Sequence, residues 1–468
     1  MNASSVNCMP IPFSDLIRRF EVLGSSYTSY PAPDRFVEAF SAEHLSQALA
    51  QRRNGAVAMA LPLSLYVHIP FCESLCYYCS CSKIVTQRHE HGETYLRYLS
   101  REVELQTACL GVGQTVCQLY LGGGSPTFLS DGELRELMTM LRCSFTFAPD
   151  GEYTVEVDPR TVDATRVAVL AELGFNRLSF SVQDCDPAVQ KAVHRVQTAE
   201  QMFSLIESAR SSGFESVNVD LLYGLPLQTP KLFDRTLAQV IQLRPDRIAL
   251  HAYVHRPQQF KPQRRISVAA LPTEDARQSM LSRSLSVLQD AGYVFLGMDH
   301  FALPHDALTI AKRQGRLHRN FQGYSIQTDC DLIGLGVSAI GKVGAAYSQN
   351  AKTLEDYYDY LDQGLLPVVR GLALSRDDLV RRSVIMALIC HGRLEFESIN
   401  LAYLIDFKSY FAGELKALRC MQDEGLVDVS DTSLQMTFMG RYFVRGVAIV
   451  FDRYLQADRA RARFSRII

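Results

Sequence analysis

Four cysteines fall within ten positions of this 468-residue chain: Cys72, Cys76, Cys79 and Cys81, in the stretch F-C-E-S-L-C-Y-Y-C-S-C-S-K. Thiolates packed this tightly suit soft metal centres such as iron–sulfur clusters or zinc. Cys72-x3-Cys76-x2-Cys79 brings three of them into one short loop. Structural zinc takes four closed ligands, commonly as two separated pairs. No second pair with that spacing occurs, so a zinc knuckle stays open but fits poorly. Three thiolates can instead hold a four-iron cluster and leave one iron free for a ligand. Cys81 is one cysteine more than such a site needs.

Other polar residues follow short apolar runs. Gly122-Gly123-Gly124-Ser125-Pro126-Thr127 follows the second run, and Glu156 and Asp158 end the third. Gln183 and Asp184 end the fourth, Asp220 precedes Y-G-L-P in the fifth, and Tyr253 and His255 end the sixth. Three glycines in a row let the backbone approach a neighbour or ligand closely, or simply make a tight turn. They match neither a dinucleotide fingerprint nor a P-loop.

The runs that must position these groups are 63–70, 116–121, 153–157, 177–182, 216–222 and 247–254, with a further candidate at 293–298. Amphipathic helices lie between them. Ser130-x-x-Glu133 and Thr198-x-x-Gln201 read as capping boxes, each followed by an apolar face: Leu134, Leu137, Met138 and Leu141, then Met202, Leu205, Ile206 and Ala209. Gly174 is placed to end the helix before the fourth run. Six strand–helix units in series predict an α/β fold, a partial (β/α)6 barrel with its site at the C-terminal ends of the strands. We expect an N-terminal arm over 1–55, the barrel over 56–355 and a helix-rich domain over 360–468. In the last, the hairpin about Asp431-Thr432-Ser433 gives a winged-helix-like pattern.

Composition narrows the function classes. Hydrophobic residues make up 47% and charged residues 21%, and the net charge is -2. That is the balance of a globular protein without a global electrostatic case for nucleic acid or membrane. Residues 375–468 carry a net charge of only +2, which counts against a DNA-binding regulator. No run of about 18 apolar residues predicts a membrane span. The N-terminus shows no signal-peptide pattern, so a reduced, cytoplasmic protein is expected. Among the twelve cysteines, Cys109, Cys117, Cys143, Cys390 and Cys420 read as small buried hydrophobes.

The cysteine loop after the first strand, with the glycine motif after the second, resembles the radical S-adenosylmethionine (SAM) enzymes. Y-V-H-I-P-F-C, C-S-K-I-V-T, G-G-G-S-P-T, E-V-D-P-R, N-R-L-S-F-S-V-Q-D, D-L-L-Y-G-L-P, G-M-D-H-F-A, L-H-R-N-F-Q-G-Y, G-V-S-A-I-G and the ending F-S-R-I-I are similar to the oxygen-independent coproporphyrinogen III oxidases. The resemblance runs from about residue 20 to the end.

It implies an oxidoreductase of heme biosynthesis that turns two propionates of coproporphyrinogen III into vinyl groups with release of carbon dioxide. It implies one [4Fe-4S] cluster and two SAM molecules, a 5′-deoxyadenosyl radical made from SAM, and a flavodoxin- or ferredoxin-like one-electron donor. A monomer is expected. Cys72, Cys76 and Cys79 match the metal ligands. Tyr66, Gly123, Glu156 and Ile340 match positions at the cluster-bound SAM. Tyr78, Gly124, Ser125, Gln183, Arg195, Asp220 and Val254 match positions at the second SAM, and Phe321 and Gln322 lie in a motif near it. Cys81 and Tyr66 match catalytic positions, Cys81 beside the second SAM and Tyr66 at the cluster-bound one. Related heme chaperones on the same fold usually have Phe where this chain has Cys81.

The chain departs from the family's usual C-Y-F-C-G-C-N-K at Tyr78, Ser80 and Ser82, from a usual Thr at Ser125 and from a usual Ala at Val254. Where the family reads G-P-R-Y-T-S-Y-P, this chain reads G-S-S-Y-T-S-Y-P, so Ser26 replaces an arginine able to meet a propionate. Candidate carboxylate-binding groups are Arg256, Lys261, Arg264 and Arg265, best placed because they follow a barrel strand; Lys312, Arg313, Arg316 and Arg319; and the tail Arg459, Arg461, Arg463 and Arg466.

Overall fold

The computed structural model describes residues 13–20, 27–55, 61–327 and 329–464. Ser26 and Arg466 lie outside them, and the side chains of Arg459, Arg461 and Arg463 are not among those described.

Each of the six runs forms a strand: β1 Leu63–Ile69, β2 Thr115–Gly123, β3 Thr146–Val157, β4 Arg177–Gln183, β5 Ser216–Tyr223 and β6 Arg247–Ala252. They pair parallel in sequence order. Helices α1 Glu90–Leu110, α2 Asp131–Ser144, α3 Ala164–Glu172, α4 Ala199–Ser211 and α5 Pro230–Leu243 cross over between them. Both capping boxes form: Ser130 Oγ accepts from the Glu133 N–H on α2, and Thr198 Oγ1 from the Gln201 N–H on α4. Gly174 follows α3 at φ +90, a left-handed conformation that glycine adopts without a Cβ clash.

The run at 293–298 is β7, Val294–Gly297, but it does not pair with β6. It turns back on β8, His300–Ala302, and β8 pairs antiparallel with β6. The other edge is longer than expected. β9, Asp331–Leu335, pairs parallel with β1, and β10 Ile340–Val343, β11 Ala346–Asn350 and β12 Val368–Ala373 continue antiparallel. The result is a curved sheet ordered β12-β11-β10-β9-β1-β2-β3-β4-β5-β6-β8-β7.

Alternation along the strands separates core from lumen. On β1, Leu63, Leu65, Val67 and Ile69 are fully buried against the helices, while Ser64, Tyr66 and His68 point the other way. The apolar faces of α2 and α4 are the ones expected, all buried. At about 25 cal/mol per Å² of apolar surface removed from water, this helix–sheet layer is the main stabiliser of the barrel.

A second apolar cluster, with Val384, Ile385, Phe407, Phe411, Leu434 and Phe451 at its heart, belongs to the C-terminal region. There a helix over Arg376–His391 leads into a small antiparallel sheet, Arg393–Glu395, Ser433–Met436 and Val427–Val429. The N-terminal arm ties the two parts together. Val37 pairs with Gly371 of β12, and the fully buried Tyr27 donates its hydroxyl to Asp452 at 3.1 Å. Among the described residues, no helix is long and apolar enough to cross a membrane.

The isolated cysteines divide. Cys117 and Cys390 are buried and Cys109 is half-buried, but Cys143 and Cys420 are exposed, contrary to expectation. The tendency of cysteine to be buried misleads here, whereas periodicity puts Cys143 off the apolar face of α2 formed by Leu134, Leu137, Met138 and Leu141.

Candidate active site

Alternate residues of the barrel strands face a cavity of about 750 Å³, within the usual range for a small-molecule site. β3 contributes Glu152, Thr154 and Glu156, β4 Arg177, Ser179, Ser181 and Gln183, and β5 Ser216, Asn218 and Asp220. A full barrel of this class fills its lumen with branched apolar side chains. Here polar side chains recur along the lumen, from Glu152, Arg177 and Ser216 to Glu156, Gln183 and Asp220, among apolar ones such as Leu178, Leu222 and Phe321.

The cysteine loop closes one end. Phe71–Cys72 pairs parallel with Ile84–Val85, so residues 72–84 project as a loop pinned at its base. The glycine run seats this base. The Gly124 N–H donates to Ile69 O and the Ser125 N–H to Phe71 O, both at 2.8 Å. A Cβ on Gly124 would lie 2.6 Å from Pro70 O, and one on Gly123, at φ +113, 2.6 Å from the His68 ring. The glycines are therefore needed first for packing against the protein itself. Gly123, Gly124 and Ser125 also line the cavity.

Cys72, Cys76, Cys79 and Cys81 all line that cavity. Burial, then the neighbouring Cys79 and Cys76, pushes the Cys72 thiol up to about 12. A hydrogen bond from Cys81 brings Cys79 down to about 5, and the same bond raises Cys81. Lys83 Nζ donates to Cys79 O at 3.1 Å. Cys76 Sγ accepts from Arg160 Nη2 at 3.5 Å and from Arg195 Nη1 at 3.4 Å. Asp158 aligns both guanidiniums, at 2.6 Å from Arg160 and 3.2 Å from Arg195. Burial would raise Asp158, but the two arginines outweigh it and hold its carboxyl below the usual range. Among the described residues, no three His, Cys, Asp or Glu side chains converge as a single ion requires. Thiolates on separate irons of a cluster need no such convergence. Three thiols in one loop, two cationic donors on one sulfur and open space beyond them fit a cluster better than mononuclear zinc.

The remaining expected residues mostly share this chamber. Tyr78, Glu156, Gln183, Arg195, Asp220, Val254, Phe321 and Gln322 all line it. Glu156 accepts from Tyr120 Oη at 2.7 Å and from the Gly123 N–H at 3.2 Å. Burial, with help from Asp220, raises its carboxyl to about 7. Asp220 accepts from Asn218 Nδ2 at 2.7 Å, and its carboxyl is raised chiefly by burial. Gln322 is held by Ser64 Oγ at 3.1 Å and donates to Leu65 O at 2.8 Å. Two residues stand apart. Tyr66 is on the lumen side of β1 but does not line this cavity; half-buried, it has its hydroxyl 3.0 Å from His68 Nδ1 and its ring 6.1 Å from that of Tyr120. Ile340 opens β10 and does not line the cavity.

Of the basic candidates, Arg256 and Arg319 line the cavity, whereas Lys261, Arg264, Arg265, Lys312, Arg313 and Arg316 do not. Lys312 is occupied with the Phe295 and Leu296 carbonyls, at 2.9 and 2.5 Å. Asp184 is buried in bonds to Gln228 and Thr236, a structural role.

Asp158 is a strand-end residue singled out in the sequence, but its part in orienting Cys76 through Arg160 and Arg195 was not legible there. Arg160 and His68 escaped sequence reading: His68 bridges Tyr66 and the Ser82 carbonyl, the latter at 3.0 Å. Burial lowers His68 to about 4, so it stays neutral. Their sequence signal was strand alternation, which puts His68 and Tyr120 on the lumen side.

Comparison with known proteins agrees with this site. The radical SAM superfamily model matches residues 66–240. The oxygen-independent coproporphyrinogen III oxidase of Pseudomonas aeruginosa is 47% identical over 457 residues, covering 97% of this chain and 98% of that protein. The protein so named from Escherichia coli is 44% identical over 453 residues, with 97% and 98% covered. The solved structure of coproporphyrinogen III oxidase from Escherichia coli, described as a radical SAM enzyme, superposes with a TM-score of 0.88 at 44% identity, over 92% of this chain and 97% of that one.

Proposed function

The chain belongs to the oxygen-independent coproporphyrinogen III oxidases of the radical SAM superfamily, and on that premise we propose how its own residues carry the reaction. The reaction is the oxidative decarboxylation of two coproporphyrinogen III propionates to vinyl groups, giving protoporphyrinogen IX in heme biosynthesis. A [4Fe-4S] cluster and SAM, when bound, supply the electron and the 5′-deoxyadenosyl radical that takes a propionate hydrogen. Cys72, Cys76 and Cys79 hold the cluster, and Arg160 and Arg195 fix Cys76 within it.

Two SAM molecules are proposed on the resemblance to the family. Tyr66, Gly123 and Glu156, on β1 to β3, would meet one. Gln183 on β4 and Asp220 on β5, with Gly124 and Ser125 after β2, Tyr78 in the cysteine loop, Arg195 and Val254, would meet the other. Glu156 offers a buried carboxylate to a cationic or hydrogen-donating part of SAM, and Arg195 offers a guanidinium to a carboxylate. Ile340 is at most an indirect contributor, through the backbone of β10 against Gly334. Arg256, facing the chamber, is the best candidate for a substrate carboxylate. A one-electron donor protein, a cytoplasmic location and a monomeric state complete the reading. The cysteines support the reducing location, since those described are all free thiols.

The observation that carries this assignment is the single chamber that joins the three-cysteine loop to Glu156, Arg195 and Asp220. Anaerobic incubation of reconstituted protein with coproporphyrinogen III, SAM and dithionite should yield protoporphyrinogen IX and two carbon dioxide molecules per turnover. Equilibrium dialysis should find two SAM per chain; one per chain would remove the second pocket.

Glu156→Gln isolates one pocket. Hydrogen bonds to charged groups contribute about 1.5–3 kcal/mol, so SAM affinity should fall about 10- to 100-fold while iron content stays at the wild-type level. With the carboxyl at about 7, wild-type affinity should weaken as pH drops through neutrality, because only the ionised form attracts a cation. The glutamine variant should lose that dependence. Unchanged affinity with an unchanged pH profile would leave Glu156 a structural residue.

A further inference from the structure

The loop after β6 has two sides. Arg256 and Phe260 face the chamber, while Lys261, Arg264 and Arg265 are exposed and do not line it. The Arg265 guanidinium lies 5.2 Å over the ring of Tyr77, the chain neighbour of Cys76. Tyr77 stacks in turn on His194, with centroids 5.1 Å apart and planes 9° from parallel. His194 Nδ1 meets Leu75 O at 2.8 Å, and the Tyr77 N–H donates to Val193 O at 3.0 Å. Beneath this stack, Arg160 spans from His194 O at 3.4 Å to Cys76 Sγ at 3.5 Å. A tier of guanidinium, phenol and imidazole thus stands at the surface one residue from a proposed cluster ligand.

The exposed charge of the two segments that carry the tier is positive. Lys191, His194, Lys261, Arg264 and Arg265 are exposed, and neither 187–199 nor 256–273 contains Asp or Glu. Glu73, the exposed acid of the cysteine loop, lies 3.9 Å from His89. None of these cations faces the chamber, so the mechanism leaves them unused. We infer that this surface docks an acidic one-electron carrier protein and is where the electron reaches the Cys76 side of the loop. In the step, the carrier loses one electron, the iron–sulfur site gains it, and no bond forms or breaks. Transient redox partners bury little area and rely on complementary charge for encounter. The inference rests on the cluster assignment to Cys72, Cys76 and Cys79.

The test uses reconstituted holoenzyme and reduced flavodoxin as the acidic probe. In the variant Lys191→Glu/Arg264→Glu, the second-order rate of cluster reduction at low salt should fall about tenfold or more, since steering of this kind changes association rates by 10–10³. Added salt should erase most of the difference between variant and wild type. Reduction by dithionite, and the KM for coproporphyrinogen III in a dithionite-driven assay, should not change. An unaltered flavodoxin rate would overturn the docking surface. A raised KM under dithionite would overturn it too, by placing these cations in substrate binding. If dithionite failed to reduce the wild-type protein, the iron–sulfur assignment itself would fall.

Discussion

Cys76→Ser protein, reconstituted anaerobically, is expected to hold almost no iron and to produce no protoporphyrinogen IX. Cys72→Ser and Cys79→Ser are expected to behave alike. The loop offers three thiolates to four irons, so removing one leaves two fixed anchors. Changes to groups that merely orient a metal ligand cost about 10–100-fold in metal affinity, and loss of the ligand itself should cost more. Cys76 is the most constrained of the three: it is buried, and Arg160 and Arg195 both donate to its sulfur. Serine there would leave two guanidiniums facing a hydroxyl that holds iron poorly. The measurement is iron and acid-labile sulfide per chain, with circular dichroism to show that the barrel still folds. Wild-type iron in any one of the three folded variants would refute that residue as a ligand.

Much of this site was legible in the sequence because short-range patterns set it. The cysteine spacing, the glycine run and the polar residues closing successive apolar runs needed only one strand or loop at a time. The capping boxes at Ser130 and Thr198 were legible for the same reason. What escaped depended on contacts between distant segments. That Asp158 would align Arg160 and Arg195 on Cys76 could not be read from residues 158, 160 and 195 alone. The use of the glycines was also only half visible. Their closeness to Pro70 and His68 arises from the pairing of β1 with β2, which brings Ile69 opposite Gly123.

One further pattern was present but misweighted. Glu152, Thr154 and Glu156 alternate on β3, and Arg177, Ser179, Ser181 and Gln183 on β4. Reading only the strand ends placed the site at the C-terminal ends of the strands and missed the polar groups deeper in the lumen. Strict alternation of polar residues along parallel strands instead implies a hydrated lumen, since an apolar one could not satisfy these groups. The sheet edges were the other gap. β7, β8 and β9 to β12 are short and interrupted by turns, so their periodicity is too brief to show which neighbour they join.

Cys81→Ser should separate the fourth cysteine from the other three. All four line the same chamber, and Cys79 and Cys81 are hydrogen-bonded to each other, so proximity alone does not divide their roles. The division proposed here gives Cys81 to the second SAM and the substrate. It is exposed to the chamber, where Cys76 is buried. Serine keeps the size and hydrogen-bonding capacity of cysteine but not its soft sulfur or its acidity. A cluster ligand so replaced would lose iron, whereas a pocket residue would not. We expect Cys81→Ser to retain wild-type iron, sulfide and visible absorption, and to lose product formation by about a hundredfold, the cost of a misplacement of about 1 Å at a reacting centre. Iron and product must be measured on the same preparation. Loss of iron to the level of Cys76→Ser would make Cys81 a ligand, and full activity would make it dispensable. Intact cluster with lost turnover is the one outcome that gives the cysteine beyond the three-ligand motif a role in the chemistry that follows SAM binding.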